Sequence, residues 1–156
     1  MNTIELNELK NVPCETILTR SGKIITFTIK LTPVSKKNHQ RIVTNKKTGI
    51  PFIIPSSQYK QYEKDAAWFI PKTKSIDYPV NVKCLFYMPT RRRCDLTNML
   101  ESVDDIMVKY ELLQDDNCKI IVGHDGSRVL YDKENPRTEV TITPIEEDDI
   151  SNAYPR

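Results

Sequence analysis

From Met88 to Asp116 the sequence sets basic residues beside acids. Arg91, Arg92 and Arg93 open the stretch, Asp95 follows almost at once, and Asp115 and Asp116 close it. Between them Asn98, Glu101 and Asp105 recur at spacings of three and four, the interval of neighbours on a helix. Arginines neutralise a phosphate backbone, and oxygen ligands suit Mg²⁺ or Mn²⁺. Together they fit a polyanion held next to carboxylates that bind a cation. Taken singly, each acid reads as a solvated helix or turn residue; the combination is what points to chemistry.

These residues need a helix to carry them. Leu96, Met99, Leu100, Val103, Ile106, Met107 and Tyr110 form one apolar stripe, which predicts an amphipathic helix. Asp95 is its expected N-cap, with Asn98 three positions on. Asn98, Glu101, Ser102 and Asp105 fall on the opposite or flanking faces. Val80, Val82, Cys84, Phe86 and Met88 alternate as a strand that runs straight into the arginines. Asp115 and Asp116 return to the helix N-terminus only if the following strand runs back beside it.

The run Arg91-Arg92-Arg93-Cys94-Asp95-Leu96-Thr97-Asn98 resembles the signature of RusA-like Holliday junction resolvases, which are common in prophages. That family carries Asp-Leu-Asp-Asn after a basic run, then a helix, then a Leu-Asp-Asp or Lys-Asp-Asp turn. Asp95 matches the first Asp and Asn98 the Asn. Asp105 matches a common helix acid, and Asp116 the essential Asp of the turn, with Asp115 beside it. The separation from Asn98 to Asp116 agrees without a gap. The resemblance runs from about Ile24 to Ile145, at the level of pattern outside the central stretch. It implies a Mg²⁺-dependent (or Mn²⁺-dependent) endonuclease of recombination and repair, acting on branched DNA as a homodimer. Asp95 and Asp116 would be catalytic metal ligands, with Asp115 and Asn98 in support. Arg91, Arg92, Arg93, Lys36, Lys37, Lys46 and Lys47 would hold DNA.

Two positions depart from the family. Its second Asp is Thr97 here, and its Lys on the first helical turn is Glu101. The two positions lie one turn apart on one edge of the helix. Glu101 is therefore expected to supply the missing carboxylate and to join the catalytic set. The alternative is a catalytically inert RusA-fold protein that binds DNA or serves phage regulation. A third reading is a plain interaction module with solvent-facing acids.

The rest of the chain bounds these readings. Its 156 residues suffice for one ordinary domain. The net charge of +2 would not by itself indicate nucleic acid. The distribution is more telling: Lys36, Lys37, Arg41, Lys46 and Lys47 lie in a stretch without acids, while Glu146, Glu147, Asp148 and Asp149 form an acidic tail. No apolar run has the length of a membrane span, and there is no signal-peptide core. Cys14, Cys84, Cys94 and Cys118 form no Cys-x-x-Cys motif and read as reduced residues of a cytoplasmic protein. A zinc site from Cys94, Cys118 and His124 fits no usual ligand spacing.

Residues 1–23 read as an N-terminal extension, 24–145 as the nuclease-like domain, and 146–156 as an acidic, disordered tail. Within the domain, Ile25, Phe27, Ile29 and Leu31 alternate as a strand stopped by Pro33. Ser35 to His39 form a polar loop. Arg41–Thr44 and Ile50–Ile54 flank Asn45 to Gly49 as a hairpin with a basic tip. Ser56 or Ser57 caps a helix whose apolar set is Tyr59, Tyr62, Ala66, Phe69 and Ile70. Strands follow from Lys119 and around Val140 and Ile142. The expected class is α+β, a mixed sheet covered by helices on one face.

Overall fold

The computed structural model describes residues 14–37 and 40–146. Asn38, His39, the extension up to residue 13 and the tail beyond Glu146 lie outside the described residues. Among the described residues eight strands and two α-helices follow one another: β1 (Glu15–Leu18), β2 (Lys23–Ile29), β3 (Gln40–Thr44), β4 (Pro51–Pro55), α1 (Ser57–Ala66), β5 (Val80–Met88), α2 (Leu96–Lys109), β6 (Ile121–Gly123), β7 (Arg128–Tyr131) and β8 (Arg137–Pro144). A 3₁₀ turn, Ala67–Phe69, extends α1.

The main sheet has six strands in the order β1-β2-β8-β5-β6, with β7 also on β5. The β1/β2, β2/β8 and β5/β8 pairs are antiparallel, whereas β6 and β7 run parallel to β5. This is the expected mixed sheet. The span set apart in the sequence as 1–23 contributes β1 to its edge, and β7 is an additional strand.

Alternation puts one face of the sheet inside. Ile25, Phe27 and Ile29 of β2, Val82, Cys84 and Phe86 of β5, and Val140 and Ile142 of β8 are at most 1% exposed. Both helices contribute to the core over that face, α1 with Tyr59, Tyr62 and Ala66, α2 with Met99, Val103, Ile106 and Met107. Truncating Phe86 to Ala would cost about 3–5 kcal/mol, the transfer term plus a cavity. On the partly exposed face Arg137 stacks 3.6 Å from the Tyr87 ring centroid and pairs with Asp132 and Glu139.

Both helices begin as the sequence indicated. The Ser56 hydroxyl accepts from Tyr59 N at 3.1 Å. Asp95 Oδ1 accepts from Thr97 N at 2.9 Å and from Asn98 N at 3.4 Å. Strands β3 and β4 form a separate two-stranded hairpin. Its tip is an Asx turn in which Asn45 Oδ1 accepts from Lys47 N and Thr48 N, and Gly49 supplies the positive φ of 69°.

Candidate active site

Strand β5 delivers the arginines and α2 the first acids. Arg91, Arg92 and Arg93 are exposed in the connection between them. The Arg91 guanidinium lies 4.3 Å from the Tyr131 ring centroid at the end of β7, which orients it without neutralising it. Asp95 is exposed as the N-cap, with one oxygen committed to the helix start.

The second acid-bearing segment is pinned from behind. Glu111 leaves α2 with a φ of 63°, and Leu112 and Leu113 turn into the core. Ile76 N donates to the Leu112 oxygen and Gln114 N to the Ile76 oxygen, both at 2.9 Å. Val80 N donates to the Ile120 oxygen at 2.8 Å. Between these anchors stand Asp115 and Asp116, both exposed. Asp115 Oδ1 accepts from Asp116 N, and its Oδ2 from the Asn117 side chain, each at 2.7 Å. The Asn117 amide and the Asp116 N–H hold the Asp115 carboxyl below its usual range. Partial burial, a hydrogen bond to Asp115 and the charges of Asp115 and Asp105 push Asp116 up.

Residues Pro33, Val34 and Ser35 are buried, and the lysines after them bend over α2. Lys36 N donates to Ser102 Oγ at 2.7 Å, and Ser102 Oγ donates to the Asn98 oxygen at 2.9 Å. With that anchor set, Lys36 Nζ lies 2.7 Å from Asp105 and Lys37 Nζ 2.6 Å from Glu101. The hydrogen bond and the charge of Glu101 raise the Lys37 pKa, with Asp95 and Asp105 adding to it. Lys46 and Lys47 stand apart, exposed on the hairpin tip.

Two overlapping groups result. Asp95, Glu101 and Asp105 act on Lys37; Asp105, Asp116 and the buried Asp104 act on one another. Asp105 belongs to both. The donors are oxygens, which is the right chemistry for Mg²⁺, and the charges of Asp115 and Asp105, which add to burial in raising Asp116, are what a dication offsets. Among the described residues no three acids, histidines or cysteines converge to hold an ion. Lysine ammoniums rest on Glu101 and Asp105.

Sequence reasoning passed over Asp104 and gave His124 no role. Asp104 is 7% exposed, and its Oδ2 lies 3.0 Å from His124 Nε2. The other ring nitrogen lies 2.8 Å from the Val82 oxygen, so His124 is spent on these partners rather than on zinc. Cys94 and Cys118, weighed beside it, are free thiols. Asp104 carried a signal in the sequence: it lies four residues from Leu100 and three from Met107, both on the apolar stripe. A carboxylate at that edge needs a buried partner. No helix among the described residues is long and apolar enough to cross a membrane.

Comparison with known proteins agrees with this architecture. A curated protein of Aquifex aeolicus (strain VF5), the crossover junction endodeoxyribonuclease RusA, is 33% identical over 76 residues. That match covers 47% of this chain and 60% of the relative. The family described as Endodeoxyribonuclease RusA matches residues 30–143, a span that runs from the end of β2 through both acid-bearing segments into β8. By that match over most of its length, the chain belongs to the RusA endodeoxyribonuclease family.

Proposed function

We propose that this protein is a divalent-cation-dependent endonuclease that cuts four-way DNA junctions. One observation carries the reading. The turn bearing Asp115 and Asp116 returns to the flank of the helix bearing Asp104 and Asp105, close enough for their charges to act on one another. A plain solvated acidic face has no need of a second acid-bearing segment brought to its flank.

Asp95 and Asp116 are the residues that would hold Mg²⁺, with Asp115 and Asn98 in support. Mn²⁺ fits the same oxygens. When bound, the ion supplies activation of water and stabilisation of charge on phosphorus. The chain's own residues do the rest. Arg91, Arg92 and Arg93 meet phosphates beside the acids, and Lys46 and Lys47 reach further along the duplex. Lys36 and Lys37 exchange Asp105 and Glu101 for phosphates when DNA arrives, and the freed Glu101 carboxylate offsets the charge missing at Thr97. A homodimer matches the near two-fold symmetry of a four-way junction, which needs two symmetric cuts.

The test is nicking of a synthetic four-way junction with Mg²⁺, beside a linear duplex of the same sequence. Selective cutting that disappears in Asp116→Asn supports the reading. The pairing of Glu101 with Lys37 favours a second reading, an inert RusA-fold binder of DNA, and junction binding without cutting at any Mg²⁺ or Mn²⁺ concentration would establish it.

A further inference from the structure

His124 has a ring nitrogen on each of two acceptors. Nδ1 lies 2.8 Å from the Val82 carbonyl oxygen. A carbonyl only accepts, so Nδ1 carries hydrogen. Nε2 lies 3.0 Å from Asp104 Oδ2, so a second hydrogen must sit between those two atoms. The pair therefore holds one acid proton, whether drawn as imidazolium and carboxylate or as imidazole and carboxylic acid. Burial drives the Asp104 carboxyl up while the His124 bond pulls it down; the hydrogen-bond geometry requires the proton in either case. Asp104 Oδ1 is buried and finds no partner among the described residues, so the carboxyl is held through His124.

The position of this bond matters more than its strength. Helix α2 carries Asp95 and Asp105, and the segment carrying Asp115 and Asp116 leads into β6, with His124 directly after it. Strand β6 is three residues long and meets β5 through a short parallel ladder with a register shift between Val80 and Asn81. Such a strand is weakly specified by its backbone pairing. Side chains complete its attachment. Asn81 Oδ1 accepts from Asp125 N at 2.8 Å and Asn81 Nδ2 donates to the Asp125 oxygen at 3.2 Å. His124 then joins Val82 of β5 to Asp104 of α2.

We propose that Asp104 and His124 are positioning residues of the acid site. Their hydrogen bond fixes α2 against the far end of the Asp116-bearing segment, and so sets the spacing between the helix acids and Asp116. The inference rests on the nuclease reading for its consequence, though not for its geometry. The groups facing the pair are Asp105 on the helix, Asp116 on the turn, Cys84 on β5 and Asp125 beside His124. Three of the four are acids. A pair that lost its proton would add another negative charge among them and set a carboxylate against a ring lone pair. The tie therefore holds only while the proton is present, or where a neutral donor replaces it.

A neutral donor at Asp104 separates the tie from its proton. In Asp104→Asn the amide N–H donates to Nε2 of a neutral imidazole, so the tie survives without the acid proton. The double variant Asp104→Leu/His124→Phe removes the tie and leaves no buried carboxyl behind. Each is compared with wild type at a temperature where circular dichroism shows it folded. Four quantities are read: amide exchange across residues 113–120, the rise in melting temperature on adding Mn²⁺, junction affinity without metal, and kcat and KM for nicking. The double variant is expected to bind junctions as wild type does. Its exchange at 113–120 rises tenfold or more, it loses most of the Mn²⁺ shift, and kcat falls at least tenfold with KM unchanged. Asp104→Asn is expected to restore exchange, Mn²⁺ shift and kcat to within about threefold of wild type. A folded double variant with wild-type exchange at 113–120 overturns the proposal, as does one that keeps the Mn²⁺ shift and kcat. So does a folded Asp104→Asn that fails to restore them. Wild-type protein that neither nicks nor is stabilised by Mn²⁺ sinks the nuclease reading instead, and the exchange data alone then decide the tie.

Discussion

Lys37 Nζ lies 2.6 Å from the Glu101 carboxylate, an ammonium from the loop resting on the first turns of α2. The pair is well exposed, with side-chain accessibilities of 50% and 37%, so its contribution to stability is small. Its consequence lies in what each partner is free to do. Glu101→Gln is expected to release Lys37 before DNA arrives, so junction affinity at fixed salt should rise about twofold to fivefold, because the exposed pair no longer has to be broken. The Mg²⁺ needed for half-maximal nicking should rise as well. An unaltered junction affinity removes Lys37 from the DNA contact, and an unaltered Mg²⁺ dependence removes Glu101 from the metal's surroundings.

Asp95 does two things that separate by substitution. Its carboxylate caps α2, and its charge acts on Lys37 beside Glu101. Asn caps as well as Asp, so Asp95→Asn should melt like wild type yet lose nicking a hundredfold or more. Asp95→Ala should lose activity and also about 1 kcal/mol of stability through the missing cap. Equal melting temperatures for Asp95→Ala and Asp95→Asn would show that the cap contributes nothing here; full nicking by Asp95→Asn would remove it from the ligand set.

The three arginines are exposed, and Arg91 is braced on Tyr131. Replacing all three by Ala should weaken junction binding and flatten its salt dependence by about 0.9 for each arginine that meets a phosphate. Tyr131→Leu should produce a smaller loss, because it removes the brace and leaves the charge. Binding titrations between low and moderate salt distinguish these outcomes. Identical slopes for wild type and the triple variant would place DNA elsewhere on the surface.

The parts of this molecule that were legible in the sequence are those set by local rules. The Ser56 and Asp95 caps, the alternation along β2 and β5 and the stripe on α2 each follow from residues within a few positions of one another. Strand β7 was not legible, because Arg128–Tyr131 is too short to show alternation and is held by pairing with β5, some forty residues away. The same holds for the site. Asp95 and Asp116 stand out by motif, but the Lys36–Asp105 and Lys37–Glu101 pairs join a loop to a helix more than sixty residues later. Local pattern assigned those lysines to DNA and had no means of showing the acids on which they rest. Asp104 and His124 are joined across twenty positions by the return of β6, which periodicity does not encode.

The Asp104–His124 pair also predicts how stability depends on pH. The hydrogen bond to Asp104 raises the His124 pKa above the unfolded value of about 6.5. A group raised in the folded state contributes stability that is fully present below its unfolded pKa and is lost as pH rises through its folded pKa. Asp104 is raised too, chiefly by burial, and an acid raised on folding likewise favours lower pH. Both effects have the same sign, so the pair stabilises most in mildly acidic solution and least in alkaline solution. The difference in melting temperature between wild type and Asp104→Leu/His124→Phe should therefore shrink steadily from pH 6 to pH 9. Asp104→Asn has no acid proton to lose, so its melting temperature relative to the double variant should stay flat above the ordinary histidine range. A wild-type difference that is constant or grows with pH would mean that no proton is shared between Asp104 and His124, and that the bond between them is not the one described.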